Sequence, residues 1–288
     1  YAPRPLTPPA VGGNIRVASF NVLNFFNGNG AGGGFPTSRG ADTAYEFGRQ
    51  KAKIVAALCG LGADVVGLLE MENDGNGTTS ALTELTNALT ATNGCGSWAY
   101  VPNPSGWGTI PGSTDEIRPA LIYRTTAVSP VGISMSPNDA AFNQARAPVA
   151  QTFSVSGGAS AGQKLSVIVN HFKSKGGTGT GADADQGDGQ GNWNAMRKGQ
   201  ATALLSFITT VQATANDPDV IILGDLNAYS QEDPMDILRA GGLIDLAVGE
   251  HSYVFSGQSG SLDHAMVTPS LMAQVTNAGI WNINSDEP

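Results

Sequence analysis

The segment Gly-Asp-Leu-Asn at residues 224–227 places a carboxylate and an amide two positions apart, directly after an apolar run at 220–223. Alternate residues of an extended chain project to the same side, so we expect Asp225 and Asn227 to face one space at the end of a strand. Such a pair can take a proton from a water molecule and hold that water beside a phosphorus atom. An Asx turn that merely closes the strand explains the same segment equally well.

Polar residues also mark the ends of other apolar runs. One run ends on Asn21, another on Glu70 and a third on Asn170 and His171, whereas Asp263 begins a fourth. Capping alone does not explain polar residues at so many strand ends. Oxygen ligands from Glu70, Asn21 and Asp263 suit Mg²⁺ or Mn²⁺, with Ca²⁺ as a further candidate, and no Cys/His pair has zinc spacing.

Strands and helices that could position these residues follow from the apolar pattern. Strand-like runs lie at residues 15–20, 64–69, 119–123, 149–155, 165–170, 220–223 and 262–267. Apolar residues return every three or four positions at 45–61, 80–92 and 196–215, which predicts helices there. This mixture predicts sheets packed face to face and covered by helices.

The segment 176–192 is rich in glycine and has almost nothing to bury, so it is predicted to be a surface loop. Its Asp183, Asp185 and Asp188 form a candidate calcium site. Their spacing does not match the helix-loop-helix calcium pattern, and a solvated acidic loop is the alternative.

Composition favours a folded, exported protein. The chain has 288 residues, 41% of them apolar, and no apolar run long enough to cross a membrane. We expect Cys59 and Cys95 to form a disulfide, the alternative being two unpaired buried thiols. The net charge of −9 argues against a polyanionic partner, but eight of the fifteen basic residues fall between 118 and 198. Residues 1–13, with closely spaced prolines before Gly-Gly, are predicted to be a linker to a further domain.

Six motifs in order resemble the endonuclease/exonuclease/phosphatase superfamily, which includes DNase I, abasic-site endonucleases, sphingomyelinases and inositol-polyphosphate phosphatases. They are Ser-Phe-Asn-Val-Leu-Asn (19–24), Gly-Leu-Leu-Glu (67–70), Arg-Ala-Pro (146–148), Asn-His (170–171), Gly-Asp-Leu-Asn-Ala (224–228) and Leu-Asp (262–263). The resemblance covers residues 14–288 and implies an α+β fold, a four-layer αββα sandwich with the site where the two central sheets open.

Within that superfamily the chain looks closest to the large bacterial extracellular nucleases. The motifs that carry this likeness lie at residues 170–176, 185–191, 259–265 and 283–288. The likeness implies a secreted or cell-surface, monomeric, metal-dependent endonuclease that hydrolyses DNA, with RNA as a second candidate substrate, and leaves 5′ phosphates. It also agrees with further domains in a longer chain.

The same resemblance assigns roles to individual residues. Glu70 would be the principal metal ligand with Asn21 beside it. Asp225 would activate the attacking water, Asn227 would orient it, and His171 would donate a hydrogen bond to a phosphoryl oxygen.

Phosphate contacts are assigned to Arg146, with Arg118 and Asn170 as further candidates. For Arg118, an ion pair with Asp115 or Glu116 is the alternative. His264 is assigned to packing, and His251 is interpreted as a surface histidine.

Two departures from the family pattern matter. Glu72 stands where DNase I has an arginine. The family's last core strand carries an Asp-His pair, and no histidine after Asp263 and its neighbour His264 supplies it. We therefore expect a truncated domain that lacks this strand and leaves Asp263, a candidate catalytic residue and metal ligand, without its partner. A phosphomonoesterase or phospholipid phosphodiesterase of the same fold, or an inactive binding module, are the alternatives.

Overall fold

The computed structural model describes residues 5–246, 249–255 and 257–283, and this part of the chain contains twelve strands and five helices. The strands are β1 (Val17–Phe25), β2 (Val65–Glu72), β3 (Trp98–Tyr100), β4 (Ile117–Arg124), β5 (Val128–Met135), β6 (Val149–Val155), β7 (Lys164–His171), β8 (Val220–Asp225), β9 (Ile244–Asp245), β10 (Tyr253–Phe255), β11 (Gln258–Gly260) and β12 (Asp263–Val267). The helices are α1 (Ala44–Leu61), α2 (Ala81–Ala91), α3 (Asn194–Ala215), α4 (Asp233–Ala240) and α5 (Pro269–Met272).

Two sheets form the centre of the molecule. The first has the strand order β1-β2-β4-β3 and the second the order β5-β6-β7-β8-β12-β9, while β10 and β11 make a separate hairpin. The pairs β1/β2 and β7/β8 are parallel, and the other pairs are antiparallel. Asp225 and Glu70 therefore each lie on a strand with one parallel and one antiparallel neighbour.

The two sheets pack face to face through an apolar layer. Leu69 and Leu121 of the first sheet lie in the same buried cluster as Val169 and Leu223 of the second. Gly67 allows this close approach, since a Cβ there would lie 2.3 Å from the side chain of Leu223. Without that space the faces would have to separate.

The outer faces of the sheets are covered by helices. Leu58 of α1 and Leu85 of α2 are buried with residues of the first sheet, and Leu204 of α3 and Leu238 of α4 with residues of the second. The order helices, sheet, sheet, helices confirms the predicted four-layer αββα sandwich.

Helices α1 and α2 begin at capping side chains. The hydroxyl of Thr43 accepts the backbone N–H of Glu46 at the start of α1, and Ser80 does the same for Thr83 at the start of α2. Helix α1 ends at Gly62, whose φ of 62° suits glycine.

All seven predicted strands and all three predicted helices are present, with boundaries shifted by a few residues. The sequence pattern missed the short elements β3, β9, β10, β11, α4 and α5, and also the eight-residue strand β5. Strand β5 lies at the sheet edge, contains Pro130 and Gly132 and is largely exposed, so it lacks the apolar alternation of a covered strand.

The two ends of the described chain run beside each other. Carbonyl groups of Val11, Ala10 and Pro5 accept hydrogen bonds from Thr276, Asn277 and Trp281, respectively. The linker assignment of residues 1–13 stays a prediction, and so does the missing last strand; among the described strands β1 pairs with β2 alone. The motif at 283–288 lies outside the described residues except for Ile283.

The disulfide prediction is confirmed: Cys59 near the end of α1 is joined to Cys95 in the loop after α2, with a Cα–Cα distance of 5.0 Å. No helix in the described part of the chain is long and apolar enough to span a membrane.

We predict that replacing both cysteines by serine lowers the free energy of unfolding by about 3 to 4 kcal/mol, because the bridge restricts a long loop of the unfolded chain. The sequence separation of the two cysteines is 36. Urea unfolding of the oxidised protein and the double variant measures the difference. Two freely alkylated thiols in the non-reduced protein would contradict the assignment.

Candidate active site

Glu70 lies where the pairing of β2 is interrupted on both of its edges. On one edge residues 22–24 of β1 stand opposite Glu70 alone, and on the other residues 69–70 stand opposite Pro119 alone. Proline has no N–H to donate, so a break in the ladder at this position is expected. Glu70 adopts a φ of 62°, which is uncommon for a residue other than glycine. These bulges aim its side chain out of the regular sheet pattern.

The end of β1 holds the Glu70 carboxylate from two sides. The amide of Asn21 donates to one carboxylate oxygen at 3.0 Å, and the backbone N–H of Asn24 donates to the other at 3.1 Å. Leu23 and Asn24 both have positive φ, and the N–H of Leu23 donates to the Asn21 side chain. The structure thus places Asn21 beside Glu70, as the sequence predicted.

Asp225 and Asn227 lie at the end of β8 on the second sheet. The backbone N–H of Asn227 donates to the Asp225 carboxylate at 2.8 Å. Gly224 has a φ of 126°, and a Cβ there would lie 2.1 Å from the carbonyl oxygen of Asn170. Only glycine therefore fits between β7 and the loop that carries the two polar side chains.

The carbonyl of Phe172 connects two candidate residues. It accepts hydrogen bonds from the Asn227 amide at 3.2 Å and from the Arg146 guanidinium at 3.3 Å. The neighbouring His171 places its Nε2 3.8 Å from the Asp225 carboxylate, and its Nδ1 has no hydrogen-bond partner although it is buried.

Asp263 stands directly opposite Asp225, because β12 pairs with β8 in that register. Its backbone N–H and that of Leu262 donate to the hydroxyl of Ser252. The structure therefore brings Glu70, Asn21, Asp225, Asn227, His171, Asp263 and Arg146 to one end of the sandwich.

Burial and like charge dominate the electrostatics of this group. Burial raises the pKa of Asp225, and the neighbouring charges of Asp263 and Glu70 raise it further. Burial also raises the pKa of Asp263, with a smaller contribution from Glu70. The pKa of His171 is well below its usual value because of burial and, next, the charge of Arg146, so this imidazole is neutral at neutral pH.

Two predicted phosphate-binding residues are engaged elsewhere. Arg118 is buried, donates to the carbonyl of Gly75 and is stabilised by the charge of Asp74; burial lowers its pKa to about 10. Asn170 is buried, and its NH₂ group donates to the carbonyls of Ile168 and Leu223. The Nε of Arg118 and the Oδ1 of Asn170 are buried and have no hydrogen-bond partner.

The three aspartates of the acidic loop are not brought together. Asp183 accepts the backbone N–H of Met196 at the start of α3, while Asp185 and Asp188 each accept an N–H two residues further along. Among the described residues, no three such side chains form a metal-binding group. The calcium prediction therefore has no support from this loop.

The same loop is anchored by buried charges. Lys175 donates to both carboxylate oxygens of Glu232 at 2.6 Å and to the carbonyl of Gln190 at 2.8 Å. Arg197, which is fully buried, donates to the carbonyls of Gln190 and Asn192. The loop after β7 is thus fixed to the loop after β8.

His264 is held between two acceptors behind the site. Its Nδ1 lies 3.2 Å from the carboxylate of Asp245, and its Nε2 lies 2.9 Å from the carbonyl of Ala228, one residue after Asn227. It is buried. His264 is therefore buried, as predicted, but its role is not packing alone. The ring also connects β12 to the loop that carries Asn227.

Sequence reasoning missed Arg39. The Asp115 carboxylate, one of the two alternative ion-pair partners considered for Arg118, contacts Arg39 at 3.4 Å and Arg146 at 3.5 Å. Arg39 lies in the loop between β1 and α1, where no periodic pattern marks a functional residue.

The sequence profile of the Endonuclease/Exonuclease/phosphatase family matches residues 18–286. The chain belongs to this family. Members of the family are hydrolases that act on phosphoesters, and they generally depend on a divalent metal. No curated protein matches the chain in sequence.

Solved structures agree on the fold at low sequence identity. A mannosyl-6-phosphatase of Bacteroides thetaiotaomicron has a TM-score of 0.59 at 17% identity, with 89% of this chain and 86% of that chain covered. The human Nocturnin catalytic domain with bound sulfate has a TM-score of 0.56 at 17% identity, covering 88% and 82%. A beta hairpin deletion mutant of Staphylococcus aureus beta toxin has a TM-score of 0.56 at 15% identity, covering 95% and 94%.

The donor set fits the divalent metal on which this family depends. Glu70, Asp225 and Asp263 offer hard oxygen ligands, and their mutual repulsion would be relieved by a bound cation. The buried Oδ1 of Asn24, next to the Glu70 contact, has no hydrogen-bond partner. Among the described residues the three carboxylates alone do not form a metal-binding group, so the fit rests on the chemistry of the donors.

We predict that metal binding releases protons near neutral pH. Ligating carboxylates must be ionised, and the pKa values of Asp225 and Asp263 are raised, so affinity for Mn²⁺ should increase as pH rises and protons are displaced. Calorimetry in two buffers of different ionisation enthalpy measures the release. Asp263→Asn removes one like charge and should reduce it. Binding with no proton release and no pH dependence would contradict the electrostatics.

We also predict that His264→Ala lowers the free energy of unfolding by about 2 to 4 kcal/mol, because a buried carbonyl and a carboxylate both lose a hydrogen-bond partner. His251→Ala, at a partly exposed histidine, is the matched control and should have little effect. Denaturant unfolding compares the two variants. Equal stability of both would show that the contacts of His264 are not stabilising.

Proposed function

We propose that the protein is a secreted, metal-dependent phosphodiesterase that cleaves DNA within the chain, with RNA as a second substrate, and leaves 5′ phosphates. The observation that carries phosphoester hydrolysis is the meeting of Glu70 on one sheet with Asp225, Asn227 and His171 on the other. Carboxylates, a neutral imidazole and an arginine around one space are the groups that such a reaction needs.

Each side chain has a role that its contacts support. Asp225 is the base that takes a proton from the attacking water, because burial and like charge raise its proton affinity. The Asn227 amide, fixed by the Phe172 carbonyl, orients that water or the phosphate. Neutral His171 donates a hydrogen bond to a phosphoryl oxygen, and Arg146 contributes positive charge.

Glu70 would be the main ligand of the divalent cation, with Asn21 and Asp263 beside it. The bound cation would polarise the phosphoryl oxygen and stabilise charge on the leaving 3′ oxygen. The contacts of Glu70 with Asn21 and the Asn24 backbone hold its carboxylate in place before any ligand arrives. Such preorganisation avoids a reorganisation cost during the reaction.

Nucleic acid and secretion are supported by the sequence rather than by the geometry of the site. The motifs around the acidic loop and at residues 259–265 resemble those of bacterial extracellular nucleases. A disulfide between Cys59 and Cys95 is typical of exported proteins. The fold serves a phosphomonoesterase or a phospholipid phosphodiesterase equally well, so the substrate must be tested directly.

The test is a substrate panel with variants. Plasmid DNA, single-stranded DNA and RNA are compared with mannose 6-phosphate, inositol phosphates and sphingomyelin. We expect cleavage of DNA, its loss with chelator, its recovery with Mg²⁺ or Mn²⁺, and a decrease of at least about a hundredfold in Glu70→Gln. Glu46→Gln, in the exposed first turn of α1, is the control and should retain activity.

Undiminished DNA cleavage in excess chelator would exclude the metal-dependent reaction. Hydrolysis of a monoester or of sphingomyelin without DNA cleavage would replace the proposal by the corresponding alternative. Binding without turnover of any substrate would favour an inactive module.

A further inference from the structure

One carboxylate holds two arginines at the edge of the active site. Asp115 places one oxygen 3.4 Å from the guanidinium of Arg39 and the other 3.5 Å from that of Arg146. The side chain of Arg146 is 11% exposed, whereas that of Arg39 is 35% exposed. The bridge therefore connects an inner arginine to an outer one that solvent can reach.

Contacts place Arg39 one step further out than Arg146. Arg146 donates to the carbonyl of Phe172, beside His171, and the charges of Glu70 and Asp225 act on it. Arg39 also contributes to the lowered pKa of His171, after burial and Arg146, so its charge reaches the same space. From the centre of the site outward, the Glu70 and Asp225 carboxylates are followed by Arg146, then Asp115, and then Arg39.

The turn that carries Arg39 is fixed internally. The backbone N–H and hydroxyl of Thr37 donate to the carbonyl of Ala41 at 3.1 and 3.0 Å, and the N–H of Gly40 donates to the Thr37 hydroxyl at 3.0 Å. Arg39 therefore projects from a closed turn rather than from an extended loop.

This turn also rests on the backbone that holds Glu70. A Cβ at Gly40 would lie 2.7 Å from the carbonyl oxygen of Asn24 and 2.9 Å from the Cβ of Phe26. The N–H of Asn24 donates to the Glu70 carboxylate at 3.1 Å. The position of Arg39 is thus coupled through Asn24 to the candidate metal ligand.

The positive charge of Arg39 and Arg146 is only partly balanced by Asp115. Two guanidinium groups share a single carboxylate, so the three groups together carry one positive charge in a chain whose net charge is −9. Its exposed member, Arg39, lies near enough to the site for its charge to act on His171, and an anion bound there could supply a further partner. A surface ion pair between Arg39 and Asp115 alone would be worth little to stability.

We propose that Arg39 is a second phosphate-binding residue of this site, oriented by Asp115, and that it contacts a phosphate neighbouring the one that is hydrolysed. The inference rests on the proposed function, because a polynucleotide presents phosphates in a row and a monoester does not. It makes Arg39 a residue that determines preference for polymeric substrates.

The experiment compares Arg39→Gln with Arg49→Gln, which removes the same charge from an exposed arginine on α1. Each variant is assayed on a single-stranded oligodeoxynucleotide and on bis(p-nitrophenyl) phosphate, which has one phosphate. For Arg39→Gln we expect the KM for the oligonucleotide to rise about tenfold or more with a small change in kcat, and a clearly smaller rise for the one-phosphate substrate. Arg49→Gln should resemble the unaltered protein, and Arg39→Lys should recover part of the loss.

Binding of the same oligonucleotide in chelator, measured by fluorescence anisotropy against salt concentration, provides a readout without turnover. Loss of one phosphate contact should reduce the slope of log affinity against log salt by about 0.7 in Arg39→Gln and leave it unchanged in Arg49→Gln.

The outcomes separate the two proposals. If the protein cleaves DNA but Arg39→Gln behaves as Arg49→Gln in KM and salt slope, the role of Arg39 is wrong and the proposed function stands. If the protein binds the oligonucleotide through Arg39 but cleaves no phosphodiester, the proposed function fails and the binding role stands. Equal loss on both substrates, or no binding of the oligonucleotide, would overturn the inference.

Discussion

The arrangement of the site depends on the conformation of one residue, Glu70, at the point where β2 loses regular pairing on both edges. A positive φ is costly for a residue with a side chain, by about 1 to 2 kcal/mol, and persists only where the surroundings enforce it. Here Pro119 removes a donor from one ladder, and the left-handed residues Leu23 and Asn24 displace β1 from the other. The same displacement brings the Asn24 N–H and the Asn21 amide onto the Glu70 carboxylate. The displacement of β1 that interrupts the pairing with β2 therefore also positions the donors that hold the Glu70 carboxylate.

The second sheet contributes a different kind of constraint, which is electrostatic. Pairing of β12 with β8 sets Asp263 opposite Asp225, and the face-to-face packing of the sheets adds the charge of Glu70. Opposing this repulsion are the backbone N–H of Asn227 and the charge of Arg146, which both lower the pKa of Asp225. These are smaller effects than burial. The first sheet therefore supplies a carboxylate held by two donors, whereas the second supplies two carboxylates whose pKa values are raised by burial and like charge.

Much of this was predictable from sequence. Buried strands and amphipathic helices have periodic patterns, so the layers and the polar strand ends were predicted correctly. Short or exposed elements such as β3 and β5 have no such pattern. Arg118 shows a further limit, because the sequence gives its place on β4 but not which carboxylate its long side chain reaches. Arg39 and Asp115, which are far apart in sequence, meet in the folded chain, where Gly40 lets the turn of Arg39 pack against Asn24. Such contacts depend on tertiary structure and leave no periodic signal.

Main-chain carbonyls accept several of the hydrogen bonds that connect the loops of the second sheet's half of the site. The Phe172 carbonyl fixes both Arg146 and Asn227, the Ala228 carbonyl is bound by His264, and the Gln190 carbonyl is bound by Lys175 and Arg197. The Phe172 and Ala228 carbonyls accept from side chains of other elements, and the Gln190 carbonyl accepts from Lys175 of its own loop and from Arg197 of α3. Every residue type has a backbone carbonyl, so these contacts constrain the residue type mainly at the positions of the donor side chains. Sequence requirements for building this site therefore extend to His264, Lys175 and Arg197, none of which needs to touch a substrate.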